Sequence, residues 1–187
     1  HLYAAFLEDP TLEFPLVVHR LAIAHPTGYP LYIMLGKLFS LLPVGDIAYR
    51  LHIFSAVSAA AAAAIIYGAA RLMGLRPLGG LTAACCVALG PVLWSQATIA
   101  EVYALNALFV AATLALAIAW GEGAQRFERL VALACVFGLS QTHHRTAILL
   151  APAVVIYLVM AWRQRQPERN GAAWPRAWPV ILMAAVA

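Results

Sequence analysis

Four groups of polar residues interrupt an otherwise apolar chain, and their side chains are of types that move protons or bind anions. The candidate side chains, in chain order, are Asp9, Glu13, His25, Tyr29, Tyr32, Gln96, Glu101, Tyr103, Asn106, His143, His144 and Arg145. A carboxylate within about 3 Å of a hydroxyl can take its proton. A guanidinium can bind a phosphate through two parallel hydrogen bonds. We therefore ask which elements bring these groups together.

The second polar group lies in the stretch Ala-His-Pro-Thr-Gly-Tyr-Pro-Leu-Tyr, residues 24–32. Pro26 and Pro30 fix their own φ and disfavour helical geometry in the residues before them, while Gly28 permits positive φ. The pattern predicts a stiff turn that displays His25 and Tyr29. An ordinary connector between two helices is the alternative, because Pro and Gly together often mark only a turn.

The composition is that of a polytopic membrane protein. The chain has 187 residues, of which 64% are hydrophobic and 11% charged, and its mean hydropathy is +0.82. It begins with His1 and stops inside an apolar run, so we interpret residues 1–187 as one membrane domain cut from a longer chain. The net charge of +4 does not indicate nucleic acid, because the arginines lie in short loops between apolar runs.

The apolar pattern predicts an all-α fold, a transmembrane helix bundle preceded by an extracytoplasmic segment. Residues 1–45 should hold a loop with a short amphipathic helix and an interfacial helix over 31–42, whose rise of about 18 Å is less than a hydrocarbon core of about 30 Å. Residues 46–187 should hold the spans. These are predicted at 46–73, at 78–93 with a break or kink at Pro91, at 95–120, at 130–139, at 146–162 with a kink at Pro152, and from 178 onward.

Basic residues on alternate sides of these spans predict the orientation. One side receives Arg71, Arg76, Arg126, Arg129, Arg163, Arg165, Arg169 and Arg176, and the other receives Arg20, Lys37, Arg50 and Arg145. The side with eight is cytoplasmic by the positive-inside rule. All six histidines then fall on the opposite side, with most of the candidate acids. Ionisable groups near a membrane are costly unless they pair or line a wet cavity, so this clustering predicts a pocket facing out of the cytoplasm.

Several candidate residues have simpler interpretations. Glu101 could neutralise Arg145 or Arg50 at the membrane face. Gln96 and Asn106 could form hydrogen bonds between helices, a common use of amides in membrane bundles.

Two other functional classes use similar residues. A transporter could use the acids and histidines as an ion or proton relay, but the polar residues concentrate at one surface rather than at mid-membrane depth. A metal-dependent hydrolase could use His25, His143 and His144, but adjacent histidines on one helix diverge by about 100° and no His-x-x-x-His pair is present. We expect no metal site.

Three motifs resemble those of one family. They are Ala-His-Pro-Thr-Gly-Tyr-Pro-Leu-Tyr at 24–32, Trp-Ser-Gln-Ala-Thr-Ile-Ala-Glu-Val-Tyr-Ala-Leu-Asn at 94–106 and Leu-Ser-Gln-Thr-His-His-Arg-Thr at 139–146. In this order they resemble the bacterial relatives of the eukaryotic multipass O-mannosyltransferases that modify plexins. The resemblance runs from about Glu13 to Trp162.

The resemblance implies a glycosyltransferase of the GT-C type in the bacterial inner membrane, with its active site facing outward. A polyprenyl-phosphate sugar, with mannose considered first, would be the donor and would take the place of any cofactor, and a protein or glycan would be the acceptor. An acid in the first extracytoplasmic loop would be the catalytic base. The family's first-loop pattern is roughly Asp-x-x-Glu-Phe. Here Glu13-Phe14 matches, Pro10 stands at the Asp position and Asp9 is one residue early, so both Glu13 and Asp9 are candidates.

Overall fold

A computed structural model describes residues 13–123 and 126–165 of the chain. The described residues form α-helices and one 3₁₀ segment, with no β-strand among them. The helices are α1 (Glu13–Arg20), α2 (Pro30–Phe39), α3 (Ile47–Leu72), α4 (Pro77–Ala88), α5 (Pro91–Ala97), α6 (Tyr103–Glu122), α7 (Phe127–His143) and α8 (Ala151–Gln164), and the 3₁₀ segment is Arg145–Leu150.

Three segments in the described ranges are long and apolar enough to cross a membrane. They are α3, α6 and the continuous helical segment Arg145–Gln164, and a fourth crossing results if α4 and α5, bent by 65°, form one span. The predicted all-α membrane bundle is confirmed. The predicted span beginning at 178 lies outside the described residues.

The first helices follow the sequence pattern closely. Pro15 lies in the first turn of α1, where a missing N–H costs little. The short helix predicted at 31–42 is present as α2, which spans Pro30–Phe39. The span predicted at 46–73 is α3, and the Asp46 carboxylate caps it by accepting a hydrogen bond from the backbone N of Tyr49 at 2.8 Å.

The break predicted at Pro91 is also present. α4 ends at Ala88, Gly90 is extended, and Pro91 opens α5. Pro152 lies in the first turn of α8, directly after the 3₁₀ segment, so the helix geometry changes where a kink was predicted.

The prediction that one helix runs from 95 to 120 is wrong, because α5 ends at Ala97 and α6 begins at Tyr103. The Ser95 hydroxyl donates to the carbonyl oxygen of Val92 at 2.8 Å, and the Thr98 hydroxyl donates to that of Ser95 at 2.9 Å. Hydroxyls that bond to nearby backbone compete with the helical pattern. The polar motif is therefore divided between the end of α5, the loop 98–102 and the start of α6.

The core of the bundle is the pair α3 and α6, which have the most extensive contact between helices. Both helices bury small residues, including Ala59 and Ala62 of α3 and Ala104 and Ala111 of α6. Small side chains let two helix backbones approach closely in a membrane. The alanine-rich middle of α3 thus allows α6 to pack closely against α3, and the start of α6 belongs to the candidate site.

Two arginines bind the far end of α6. The guanidinium of Arg165 donates to the carbonyl oxygen of Gly121 at 2.6 Å, and that of Arg129 donates to the carbonyl oxygen of Ala119. Cations stabilise the negative end of a helix dipole and satisfy its last carbonyls. These contacts tie α7 and α8 to α6 at the end of the bundle that lies opposite the histidines.

Candidate functional site

The centre of the site is a pair formed by Glu13 of α1 and His25 of the turn. One carboxylate oxygen, Oε1, accepts a hydrogen bond from the backbone N of His25 at 2.8 Å. The other, Oε2, lies 2.8 Å from the ring Nδ1. An ionised carboxylate only accepts, so Nδ1 carries the proton of this bond. The acid is thereby held by two contacts with one residue.

A turn is present at the prolines and glycine of residues 24–32, and it presents His25. Gly28 has a φ of 84°, and its N donates to the carbonyl oxygen of His25 at 2.7 Å. Tyr29, the residue before Pro30, is left-handed with a φ of 44° and forms the N-cap of α2. Burial raises the pKa of the Tyr29 hydroxyl. The hydroxyl therefore keeps its proton at neutral pH and can donate a hydrogen bond.

Phe14 joins the turn to the helices behind it. Its ring is 1% exposed and lies with centroid distances of 5.9 Å to His25, 5.9 Å to Tyr29 and 4.9 Å to Tyr32, each with the rings at a steep angle. Edge-to-face contacts of this kind favour one relative orientation of the rings. In the sequence, Phe14 stands out only as part of the Glu13-Phe14 motif. Its position directly after the candidate acid is the one sequence feature that indicates its packing role.

The end of α7 meets the same rings. The centroid of Tyr29 lies 6.3 Å from that of His143 and 6.0 Å from that of His144. His143 also stacks on Tyr32 with an interplanar angle of 20° and lies 5.9 Å from Phe109 of α6. Phe109 was not predicted as a site residue, since nothing in an apolar helix distinguishes it from its neighbours.

His143 is buried, with 1% of its surface exposed. Its Nε2 lies 2.9 Å from the backbone carbonyl oxygen of Val102, which can only accept, so Nε2 is the protonated nitrogen. Within residues 13–123 and 126–165, Nδ1 has no hydrogen-bond partner. This ring thus links α7 to the loop before α6.

His144 is half-buried, and thus more exposed than His143 beside it. Its ring lies 5.8 Å from Tyr103, and its Nδ1 lies 2.6 Å from the Thr146 hydroxyl. Burial lowers the pKa of the imidazole, so its neutral form is favoured at neutral pH. Arg145 follows directly, with an exposed side chain that makes no hydrogen bond or ion pair within the described part of the chain. The exposed guanidinium of Arg145 can therefore bind an anion.

Glu101 lies in the loop 98–102, close enough to the central pair to interact with it. Burial raises the pKa of its carboxyl, the contact with the backbone N of Val102 and the charge of His25 lower it, and the charge of Glu13 raises it. No ion pair joins Glu101 to Arg50 or Arg145 in the described ranges. Arg50 is instead bonded to the carbonyl oxygens of Ser40, Val44 and Gly45. The interpretation of Glu101 as a partner of either arginine is therefore wrong.

Gln96 and Asn106 do not connect helices. The side-chain oxygen of each is buried, and among the described residues neither has a hydrogen-bond partner. Their interpretation as interhelical hydrogen-bond partners is therefore wrong, because the break at 98–102 separates the two halves of their motif. Two buried amide oxygens without partners remain as possible contacts for a polar ligand.

The structure thus gathers most of the predicted residues at one end of the bundle. Those linked by hydrogen bonds, ring contacts or electrostatic interaction are Glu13, His25, Tyr29, Tyr32, Glu101, Tyr103, His143 and His144. Arg145 joins them only through its neighbour in the chain, and Asp9 lies outside the described residues. Within the described ranges no three His, Cys, Asp or Glu side chains are arranged to hold a metal ion.

The sequence of the chain matches one known protein family. Residues 11–168 match the family model described as "Protein O-mannosyl-transferase TMEM260 N-terminal domain". The chain belongs to this family. The matched range contains every described helix, the central pair and all three motifs.

Two curated relatives carry the TMEM260 name. The chain is 32% identical over 154 residues to Protein O-mannosyl-transferase TMEM260 of Mus musculus, an alignment that covers 79% of this chain and 22% of the relative. It is 28% identical over 156 residues to Protein O-mannosyl-transferase tmem260 of Dictyostelium discoideum, covering 74% of this chain and 19% of that protein. The alignments thus span about a fifth of the length of each relative. No solved structure gives a significant match.

Proposed function

We propose that this chain is the N-terminal portion of a membrane glycosyltransferase of the GT-C type. It would transfer a sugar, with mannose considered first, from a polyprenyl-phosphate donor to a hydroxyl of a protein or glycan. The observation that carries the proposal is the Glu13–His25 pair, held at 2.8 Å in a chain whose relatives are named O-mannosyl-transferases. A fixed acid–histidine pair is a means of removing a proton from a hydroxyl.

The proposed reaction is a displacement at the anomeric carbon of the donor sugar. The acceptor hydroxyl gives its proton to the Glu13–His25 pair, and its oxygen forms the new bond to carbon. The bond between that carbon and the phosphate oxygen breaks, and the polyprenyl phosphate leaves with the electron pair. Arg145 would bind the phosphate as its negative charge increases, since a guanidinium matches phosphate geometry in two hydrogen bonds.

The charge distribution supports an extracytoplasmic site. Arg71, Arg129 and Arg165 lie with the basic loops at the end of the bundle away from the pair, and such loops remain in the cytoplasm. The resemblance to bacterial relatives favours the bacterial inner membrane as the location. A lipid-linked donor fits this face, since its phosphate would lie at the membrane surface beside Arg145.

The transporter alternative is less well supported. Its ion and substrate sites would lie near mid-membrane depth. The candidate acids and histidines instead gather at one end, around Phe14 and Tyr29. The relatives' names also describe transferases.

Product analysis with the full-length protein tests the proposal. The protein in liposomes would be supplied with polyprenyl-phosphate mannose, polyprenyl-phosphate glucose or GDP-mannose, together with a Ser/Thr-rich acceptor peptide. Mass spectrometry should find a peptide heavier by one hexose only with a lipid-linked donor. Transfer from GDP-mannose alone, or an unmodified peptide with every donor, would contradict the proposal.

A further inference from the structure

The two members of the Glu13–His25 pair differ in hydrogen bonding and in exposure. The residue types alone do not show this difference. Both oxygens of the Glu13 carboxylate are bonded to His25, one to its backbone N and one to its ring Nδ1, each at 2.8 Å. The other ring nitrogen, Nε2, has no partner among the described residues. The His25 side chain is 50% exposed and that of Glu13 is 20% exposed. The imidazole is therefore the open end of the pair, and the carboxylate is the enclosed end.

We propose that Nε2 of His25 is the atom that takes the proton from the acceptor hydroxyl, and that Glu13 is the positioning residue behind it. This inference rests on the proposed glycosyl transfer and specifies its base. With Nδ1 protonated by the bond to Glu13, Nε2 has the lone pair that can accept a proton. The carboxylate then fixes the tautomer and stabilises the imidazolium that forms, as in the serine–histidine–aspartate arrangement.

The ring is held in one orientation by its neighbours. The His25 ring lies 5.9 Å from Phe14 at an angle of 63°, and 5.3 Å from Tyr29 at 68°. Rotation of the ring to bring Nε2 towards Glu13 would break the bond at Nδ1 and disturb both contacts. A general base must keep its lone pair aimed at the acceptor, and this packing provides that constraint.

Three titratable side chains face His25. Glu13 faces it from α1, Tyr29 from the turn itself and Glu101 from the loop 98–102. The proton moves from the acceptor oxygen to Nε2, the oxygen bonds to the sugar carbon, and the bond from that carbon to the phosphate breaks. The imidazolium afterwards returns its proton to water.

His25 and Glu13 are the two candidate bases. They can be distinguished by the dependence of kcat/KM on pH in two variants of the full-length enzyme. Wild type, Glu13→Gln and His25→Gln would be assayed from pH 4 to 8 with polyprenyl-phosphate mannose, with His19→Gln as the matched control on an exposed histidine. If Nε2 is the base, activity of Glu13→Gln still falls at acid pH, because the histidine that takes the proton is still present. His25→Gln removes this acid limb and costs about 10-fold more activity than Glu13→Gln, as loss of the histidine exceeds loss of its acid in related pairs.

The opposite pattern overturns the inference. An acid limb that persists in His25→Gln and disappears in Glu13→Gln would assign the proton to the carboxylate. Should His25→Gln fail to bind donor, His25→Ala assayed with added imidazole decides the matter. Rescue by imidazole supports Nε2 as the base, and no rescue with donor binding intact contradicts it. A wild-type enzyme that transfers no sugar from any lipid-linked donor would instead refute the proposed function.

Discussion

Nε2 of His143 donates a hydrogen bond to the backbone carbonyl oxygen of Val102 at 2.9 Å, across 41 positions of the sequence. The bond joins the last turn of α7 to the residue that caps α6, inside a cluster of aromatic rings. His144 and Arg145 follow His143 directly in the chain. The contact therefore also fixes the position of these two more exposed residues. The buried histidine thus has a structural part in placing the polar residues beside it.

Replacement of His143 with alanine should destabilise the protein. The change removes a fully buried ring and the hydrogen bond that it donates to the Val102 carbonyl, which together cost about 2–4 kcal/mol. Thermal unfolding in detergent should show a clear decrease in the midpoint for His143→Ala. The exposed His19→Ala, which loses no buried contact, should remain within about 0.5 kcal/mol of wild type. Equal midpoints for the two variants would contradict this role.

Arg145 should determine affinity for the donor phosphate. Arg145→Lys keeps the charge but loses the paired hydrogen bonds, and Arg145→Ala loses both, so donor affinity should fall in that order. Binding of polyprenyl-phosphate mannose would be measured in detergent, with a loss of about 10-fold or more expected for alanine. Arg20→Ala, also exposed on the predicted outer side, is the control. Unchanged affinity in both Arg145 variants would remove the assignment.

The loop after α5 and the end of α7 should face the same aqueous compartment as His25. Thr98 and Thr142 are both exposed, so single cysteines at these positions should react with a membrane-impermeant maleimide added to intact cells. The native Cys85, Cys86 and Cys135 would first be replaced by alanine. A cysteine at Glu128, on the predicted cytoplasmic side, should react only after the cells are opened. Labelling of positions 98 and 142 only in opened cells would contradict the shared pocket.

Glu101 should make stability decrease as pH rises. Burial raises the pKa of its carboxyl in the folded protein, so between the unfolded value and this raised value the folded state holds more proton than the unfolded state. Folding therefore weakens as pH rises through this range. A glutamine cannot ionise, so Glu101→Gln does not lose stability in this way. The difference in unfolding midpoint between Glu101→Gln and wild type should therefore increase from pH 4.5 to pH 7.5. A constant difference between the two proteins would contradict the raised pKa.

The order and type of the helices could be predicted from sequence because they follow from local causes. Apolar length indicates α3, and proline chemistry indicates the bend before α5 and the start of α2. The break at 98–102 was missed because the pattern from Ser95 to Asn106 is compatible with a helix. The hydroxyl groups of Ser95 and Thr98 end the helix by bonding to nearby backbone groups. A hydropathy pattern does not show this competition for backbone hydrogen bonds.

The candidate site was predictable as a set of residues but not as a set of contacts. Motif order indicated that Glu13, His25 and His144 belong together. Both oxygens of Glu13 bond to His25, 12 positions away, and the backbone between the two residues includes Leu21 with a φ of 52°, a conformation that side-chain-bearing residues seldom adopt. Residue types alone also do not show that Arg50 binds the carbonyl oxygens of the loop before α3 and makes no ion pair with Glu101 among the described residues.

We propose that proton removal depends on Glu13 and not on Asp9, which lies outside the described residues. Glu13→Gln keeps the size of the side chain and its hydrogen bond from the His25 backbone, but it cannot supply the charge that the pair needs.

Turnover of the full-length enzyme with polyprenyl-phosphate mannose, measured beside donor binding, is the most direct test. Glu13→Gln should lose about 10²–10⁴ in turnover with donor binding retained, and Asp9→Asn should lose much less. The reverse order would assign the acid to Asp9. Full turnover in both variants would contradict a catalytic site in the first loop.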